Sequence, residues 1–462
     1  MAIVQLGQVI LQVRNRGNGW QYRADLGQQI GGIIRYVVGG CFREALETEV
    51  TKALGRKLYQ RRERAIFGPS NGQCGRCHTR DRRKFSRNGH YTRYLDTNWG
   101  RIRIEMPQVR CECGGAVQIP YQAIIPYQRF WDDVSAQIRA WYGQGLSLRQ
   151  AKAELDAQLA TSVGLRKLNE EVLAIAHLAP HAVQEQEEIP PVVRVDGIWI
   201  KLMEPTGEER KDRLGRCRQV KTGASHPILV AQGVWPALKQ SEILAWLLEK
   251  DESLESWQHL FEHLFRMGVR PEKGVHLLVG DGSKGLQAAW QANWWQVPFQ
   301  RCIFHKLKNI RRDLVVPENI ASGQVRDYKW RLIRQAARIW QAPGEKDARL
   351  KAHQIAEAWQ ETQSQALATL ERDFEHTLSF YPVQSRARSQ GQDWPAEALR
   401  TTSPLEREFR SDRRRLRPSV LFHSRRGLLA AYTQVQMRKN ARRKGLFLNE
   451  HQLKLESRLA IS

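Results

Sequence analysis

The tightest constraint on this chain is a strand built for burial that carries a carboxylate. Val192-Val193-Arg194-Val195-Asp196-Gly197-Ile198-Trp199-Ile200 reads as extended and largely apolar, with Asp196 near its middle. A carboxylate among Val, Ile and Trp is costly to bury unless a partner compensates it. A metal ion is one such partner, and a water-facing position on an edge strand is the plainer alternative. Residues 227–234 read as a second strand and the stretch around 242–265 as a helix. Residues 275–280 form a short apolar strand of the central type, running directly into Asp281 and a helix from Ser283. Strands alternating with helices predict an α/β region over 192–312. Asp281 falls where open α/β sheets place their ligands, although an aspartate before Gly282 also suits an ordinary turn or helix cap.

With 462 residues, the chain is too long for one core and predicts several domains. Residues 1–65 read as a helical region. Residues 66–128 alternate Gly and Asn turns with short β-type runs and predict a small β domain. Residues 129–180 hold three short helical patterns separated by glycines, the spacing of a helix-turn-helix DNA reader or of a plain bundle. Residues 181–191 are a polar linker ending in Pro190-Pro191. Residues 313–395 have almost no strand character and predict an all-helical insertion. Residues 396–445 are helical and basic, and 446–462 form a tail. The fold class is multidomain, α+β and α/β.

Cys74-Gly75-Arg76-Cys77 and Cys111-Glu112-Cys113 are two close pairs separated by the strand-rich segment. Paired thiolates on two turns supply the four soft ligands of a tetrahedral, structural Zn²⁺, as in zinc ribbons. His78 or His90 could replace one cysteine. Four free thiols are the alternative. The seven cysteines are odd in number, and their placement suits a reducing cytoplasm better than a disulfide framework.

A third acidic position needs care. In Thr401-Thr402-Ser403-Pro404-Leu405-Glu406, Ser403 fits an N-cap, Pro404 the first helical position and Glu406 the third residue after the cap. By pattern alone this is a capping box. Glu408 and Asp412 are nearby rivals.

The formal net charge is +25, from 73 Lys and Arg against 48 Asp and Glu. Such an excess favours polyanions, nucleic acid above all. The positive charge clusters in Lys306, Lys308, Arg311 and Arg312, and again in Arg407, Arg413, Arg414 and Arg415 onward to Lys444. No apolar run is long enough for a membrane span. Trp290, Trp294 and Trp295 suit core packing better than stacking on bases.

Several motifs together resemble the Mutator-type bacterial insertion-sequence transposases. Asn88 to Arg93 and Gly100 to Pro107 are similar to the strand pair that precedes the family's catalytic domain, and Gly143 to Gln150 to its turn between helices. Val195-Asp196-Gly197 and Gly280-Asp281-Gly282 resemble the first two catalytic aspartate motifs. Gln300-Arg301-Cys302-Ile303-Phe304-His305-Lys306-Leu307-Lys308-Asn309 resembles the Q-R-C-x-x-H-x-x-R-N signature, with Lys308 in the place of Arg. Thr401 to Arg407 resembles T-T-N-x-x-E-R, with Ser403 in the place of Asn.

The resemblance implies a ribonuclease H-like core interrupted by the helical block, and Asp196, Asp281 and Glu406 as ligands of two Mg²⁺ (or Mn²⁺) ions. It implies binding of double-stranded DNA at element ends, metal-dependent cleavage and strand transfer. It also implies a homodimer or larger assembly in a prokaryotic, nucleoid-associated setting. A regulator that only binds DNA, or a nuclease of the same fold, are the alternatives. The cysteine pairs depart from the commoner pattern and imply a divergent branch. Cys302 and His305 are expected near the active site, positioning DNA or the carboxylates, or else as a buried thiol and a hydrogen-bonded imidazole.

Overall fold

The computed structural model describes residues 19–159, 162–175, 189–416 and 422–443. Lys444, the 446–462 tail, most of the 181–191 linker and the Arg415 side chain lie outside that description. The chain divides into two compact units, one of residues up to Trp141 plus Leu148–Glu171, the other of Tyr142–Ser147 plus the residues from Val172 onward.

The first unit contains α1 (Gly19–Leu54), β1 (Gln73–Cys74), β2 (Phe85–Thr97), β3 (Gly100–Cys111), β4 (Val117–Gln118), α2 (Asp132–Gly143), α3 (Leu148–Leu159) and α4 (Leu165–Leu173). Leu46, Val50 and Leu54 recur every four residues on α1 and form its buried stripe. They pack on the β2–β3 hairpin, where Ile102, Ile104 and Met106 alternate inward. Hence α1 and the hairpin share a core, although composition alone separates them. Asp96, buried in this unit, is neutralised by Arg101 at 2.8 Å and Arg129 at 3.1 Å.

The second unit begins with β5 (Val192–Lys211), β6 (Cys217–Trp235), β7 (Gln240–Leu248), α5 (Leu254–Arg266), β8 (Leu277–Gly280), α6 (Lys284–Asn293), β9 (Phe299–Arg301) and α7 (Ile303–Asp313). It continues with α8 (Val325–Ala337), α9 (Glu345–Trp359), α10 (Ser364–Glu371), α11 (Phe380–Ser389), α12 (Ala396–Leu399), α13 (Ser403–Leu416) and α14 (Arg425–Arg443). Its sheet has the order β7-β6-β5-β8-β9. β5, β6 and β7 form an antiparallel meander, while β8 and β9 run parallel to β5. The parallel steps need crossovers, which α5 and α6 supply. Residues 313–399 contain no strand.

The helix expected around 242–265 is half right. Residues 240–248 form β7 and only Leu254–Arg266 is helical. The apolar run Ile243 to Leu248 fits either period, and pairing with β6 decides for strand.

Period-two alternation sets what each sheet face holds. Val193, Val195 and Leu278 face α5 and α6, in a core with Trp257, Phe261 and Leu286. Val192, Leu277 and Val279 face the helical block. Asp196 follows Val192 and Arg194 on that second face, and Asp281 continues the alternation of Leu277 and Val279. Further along β5, Ile198 and Leu202 join Trp246, Leu405, Leu428 and Tyr432 beneath α13 and α14. The Trp246 and Tyr432 rings meet edge-on at 6.1 Å.

Trp246→Ala removes the largest side chain from this layer. It is expected to destabilise the second unit by about 3–5 kcal/mol, read as a lower urea midpoint of its unfolding transition in the full chain.

Candidate active site and cysteine cluster

Asp196 is only 9% exposed. Its Oδ1 accepts the Gly197 N–H at 2.8 Å, while Oδ2 is buried without a hydrogen-bond partner. Burial raises its pKa to about 8, with the neighbouring Asp281 adding to the rise and His305 opposing it. A ligand atom from each of Asp196, His305 and Glu406 lies within 4.8 Å of the other two. These residues come from β5, α7 and α13.

Asp281 does not belong to that cluster. The β5–β8 register runs Val192 with Leu277 to Arg194 with Val279, so its continuation sets Asp196 beside Asp281. Strands lie roughly 4.8 Å apart, and the two carboxylates feel each other's charge. Asp281 Oδ1, however, accepts the Ser283 N–H at 2.9 Å, the turn role considered from sequence. Gly282 turns the chain at φ 78°, a left-handed conformation that favours glycine.

The capping role considered for Glu406 is not what its side chain does. Its carboxylate receives His305 Nε2 at 2.7 Å, and the Ser403 hydroxyl meets Thr401 Oγ1 at 2.8 Å. The rivals are engaged elsewhere. Glu408 accepts from Gln232 at 2.8 Å, and Asp412 from Gln436 at 2.9 Å.

The segment from Gln300 to Lys306 ties the site together. The buried Gln300 amide donates to Thr377 O at 3.0 Å and accepts from Phe380 N at 2.9 Å. Arg301 pairs with Asp373. The Cys302 N–H reaches Gly280 O at 2.7 Å, and its sulfur accepts from Thr402 N at 3.2 Å and Thr402 Oγ1 at 3.3 Å. One short segment therefore joins the end of β8, the helical block and the turn that starts α13. Burial opposes charge on both Cys302 and His305. The imidazole beside it nevertheless lowers the thiol to about 7, and the thiol and Glu406 raise His305 to about 11. His305 thus stands beside the Asp196 and Glu406 carboxylates, with Cys302 next to it.

One expected DNA contact needs correction. Lys306 is 0% exposed and its ammonium lies on the Arg372 carbonyl, out of reach of a phosphate. Burial lowers its pKa to about 7. Helical phase explains the difference, because Lys306 and Ile310 share the inward face of α7. Lys308 and Arg312 are exposed. With Arg311, Arg326 and Lys329 they line a groove between α7 and α8. Arg407, Arg413 and Arg414 are exposed on α13, which also carries Arg415.

In the first unit, Cys74, Cys77, Cys111 and Cys113 each bring a sulfur within 4.8 Å of the others. Cys74 and Cys113 are 3.5 Å apart, and Cys77 and Cys111 are 3.8 Å apart. A disulfide needs about 2.05 Å, so the thiols are free. N–H groups of Cys77 and Arg76 lower Cys74 to about 6, while burial pushes Cys111 up to about 12. A Cβ on Gly115 would lie 2.7 Å from Cys74 Sγ, so glycine lets the backbone pass there. Neither alternative ligand is part of the group, and His90 pairs with Glu47 at 3.1 Å.

Comparison with known proteins gives the class. The family model described as "Transposase, Mutator family" matches residues 18–440, and the chain belongs to that family. The chain is 23% identical over 281 residues to the transposase for insertion sequence element IS256 in transposon Tn4001 of Staphylococcus aureus, covering 60% of this chain and 61% of that one. It is 25% identical over 393 residues to the transposase for insertion sequence element IS406 of Burkholderia multivorans, covering 82% and 83%. The match thus spans less than two thirds of the first relative and most of the second. Among solved structures, the Drosophila P element transposase strand transfer complex aligns over 66% of this chain and 90% of that chain. The identity is 10%, and the TM-score of 0.37 is too low to define a shared fold.

Cys302→Ala leaves the buried Thr402 N–H and hydroxyl without an acceptor. It is expected to cost about 1–3 kcal/mol of stability, and Cys302→Ser, which restores an acceptor, to recover much of that loss in the same urea titration.

Proposed function

We propose that this chain is a transposase that binds the ends of an insertion sequence in double-stranded DNA, cuts them and joins the freed ends to a target. Asp196, Asp281 and Glu406 are its catalytic residues, held by a ribonuclease H-like core with the 313–395 block as its insertion. The observation that carries the reading is Asp196 Oδ2, buried without a hydrogen-bond partner and converging with Glu406. Hard oxygen donors of this kind fit Mg²⁺ or Mn²⁺. Two such ions, when bound, stabilise the attacking and leaving oxygens of an in-line displacement at phosphorus.

The protein's own work is positioning. β5 fixes Asp196 on a rigid strand, α13 brings Glu406 across the sheet face, and His305 orients Glu406 through its Nε2 contact. Asp281 completes the set by turning toward Asp196. Exposed Lys308, Arg312, Arg407, Arg413 and Arg414, with half-buried Arg311 beside them, lead phosphates to the site. Counterion release then makes binding fall steeply with salt. Residues 129–180 read the element ends, and the working protein is a dimer or larger in the cytoplasm. No helix among the described residues is long and apolar enough to cross a membrane.

The four cysteines hold one structural zinc. Tetrahedral thiolates around Zn²⁺ stand about 3.8 Å apart for a Zn–S length of about 2.3 Å, close to the two sulfur separations. Elemental analysis is expected to find one zinc per chain, and Cys111→Ser to lose it together with thermal stability. Metal-free protein of unchanged stability would exclude the site.

Asp196→Asn, Asp281→Asn and Glu406→Gln are each expected to reduce cleavage about a thousandfold or more, a loss of roughly 4 kcal/mol, with binding to element ends unchanged. The assay is Mg²⁺-dependent cleavage of end-bearing duplexes. Cleavage at the wild-type rate by any one variant would remove that residue from the catalytic set. Cleavage without joining of a pre-cut end would reduce the protein to a nuclease, and binding alone to a regulator.

A further inference from the structure

We infer that Gln232 is a positioning residue for the active site. Through Arg194 on one side and Glu408 on the other, it fixes how far Asp196 stands from Glu406, and so the geometry of the divalent ion they hold. This rests on the metal-dependent reading above. Gln232 is the one polar side chain in the run Pro227 to Val234, and it is fully buried. A carboxamide persists at such a position where its hydrogen bonds are made. Gln232 stands directly opposite Arg194 in the β5–β6 pairing. Both lie on the sheet face of Asp196, which is two residues beyond Arg194 on β5. Arg194 Nη1 donates to Gln232 Oε1 at 3.2 Å, and Gln232 Nε2 donates to Glu408 Oε1 at 2.8 Å. Glu408 is two residues beyond Glu406 on α13. Arg194 Nη2 also donates to Ala398 O at 2.8 Å. The chain on both sides of Glu406 is therefore tied to the strand that carries Asp196.

The polar network continues into α14. Lys439 pairs with Asp412 Oδ1 and lies 3.7 Å from Glu408 Oε2, while Gln436 donates to the other oxygen of Asp412 at 2.9 Å. Arg194 and Lys439 offset Glu408 and Asp412, so this network balances its own charge and its task is geometric. A planar amide suits the link at 232. One end accepts from a guanidinium, which can only donate, and the other donates to a carboxylate, which can only accept. Glutamate there would set two carboxylates against each other, and an apolar side chain would leave Arg194 and Glu408 unmatched. Groups around a metal must be held to within about 0.5 Å, and a buried, mutually bonded network behind the ligands supplies that rigidity.

The competing role is stability alone. The test is calorimetric titration of the DNA-free, full-length protein with Mn²⁺ at a temperature where every variant used is folded, with melting temperatures measured alongside. Stability by itself does not alter the affinity of molecules that are already folded. Gln232→Met fills similar space without either bond and is expected to bind Mn²⁺ roughly tenfold or more weakly than the wild type. Gln232→Glu combined with Glu408→Gln conserves charge and reverses donor and acceptor across the link. This exchange is expected to bind within about threefold of the wild type, because the bond is restored. If Gln232→Met does not fold, Gln232→Asn, one methylene too short to reach both partners, takes its place with the same expectation. A wild-type isotherm for the variant that breaks the link, or an exchange variant as weak as that one, would overturn the proposal. Asp196→Asn is the control. If it binds Mn²⁺ like the wild type, the metal reading of the whole site fails; if it is weakened and the Gln232 variant is not, only the role of Gln232 fails.

Discussion

A carboxylate held on an interior strand with one oxygen unpartnered is the constraint on which the second unit turns. Asp196 is almost withdrawn from solvent, on a strand paired with β6 along its length and met on its own face by His305 of α7 and Glu406 of α13. It finds no neutralising arginine, whereas the buried Asp96 of the first unit finds two. The difference between these two buried aspartates is physical. Asp96 is closed by guanidinium groups and holds a hairpin together, whereas Asp196 faces an imidazole and further acids. Burying a charge at such cost persists where a ligand compensates it.

Bringing Glu406 to that point is a problem of chain connectivity, solved by residues 300–306. The polar side chains there bond several parts of the unit: Gln300 the turn at Thr377, Arg301 and Lys306 the adjoining Asp373 and Arg372, Cys302 the turn at Thr402 and His305 Glu406 itself. The helical block can therefore stand between Asp281 and Glu406 in sequence without displacing α13 from the sheet. The signature is a set of buried polar bonds before it is anything chemical, which accounts for a lysine and an arginine being spent inside.

Much of this was legible in the sequence. The strands at 192–200 and 275–280 and the helical character of 313–395 follow from apolar runs and their spacing. The cysteine cluster follows from two close pairs. What failed was whatever depends on partners distant in the chain. The 240–248 run satisfied two periods, and only β6 chose between them. Lys306 counted as surface charge because no local pattern shows that Arg372 supplies a carbonyl. At Glu406 the pattern alone left a capping role open beside the one the resemblance implied, and its contact with His305, far away in sequence, is one that no local pattern shows.

The central claim is that the acidic residues on β5, just after β8 and on α13 share divalent ions. Anomalous X-ray scattering from crystals of the full chain soaked in Mn²⁺ tests this directly. The account predicts two peaks about 4 Å apart, bounded by Asp196, Asp281 and Glu406. A map at saturating Mn²⁺ with no peak among those carboxylates, while His305 still holds Glu406, would contradict it.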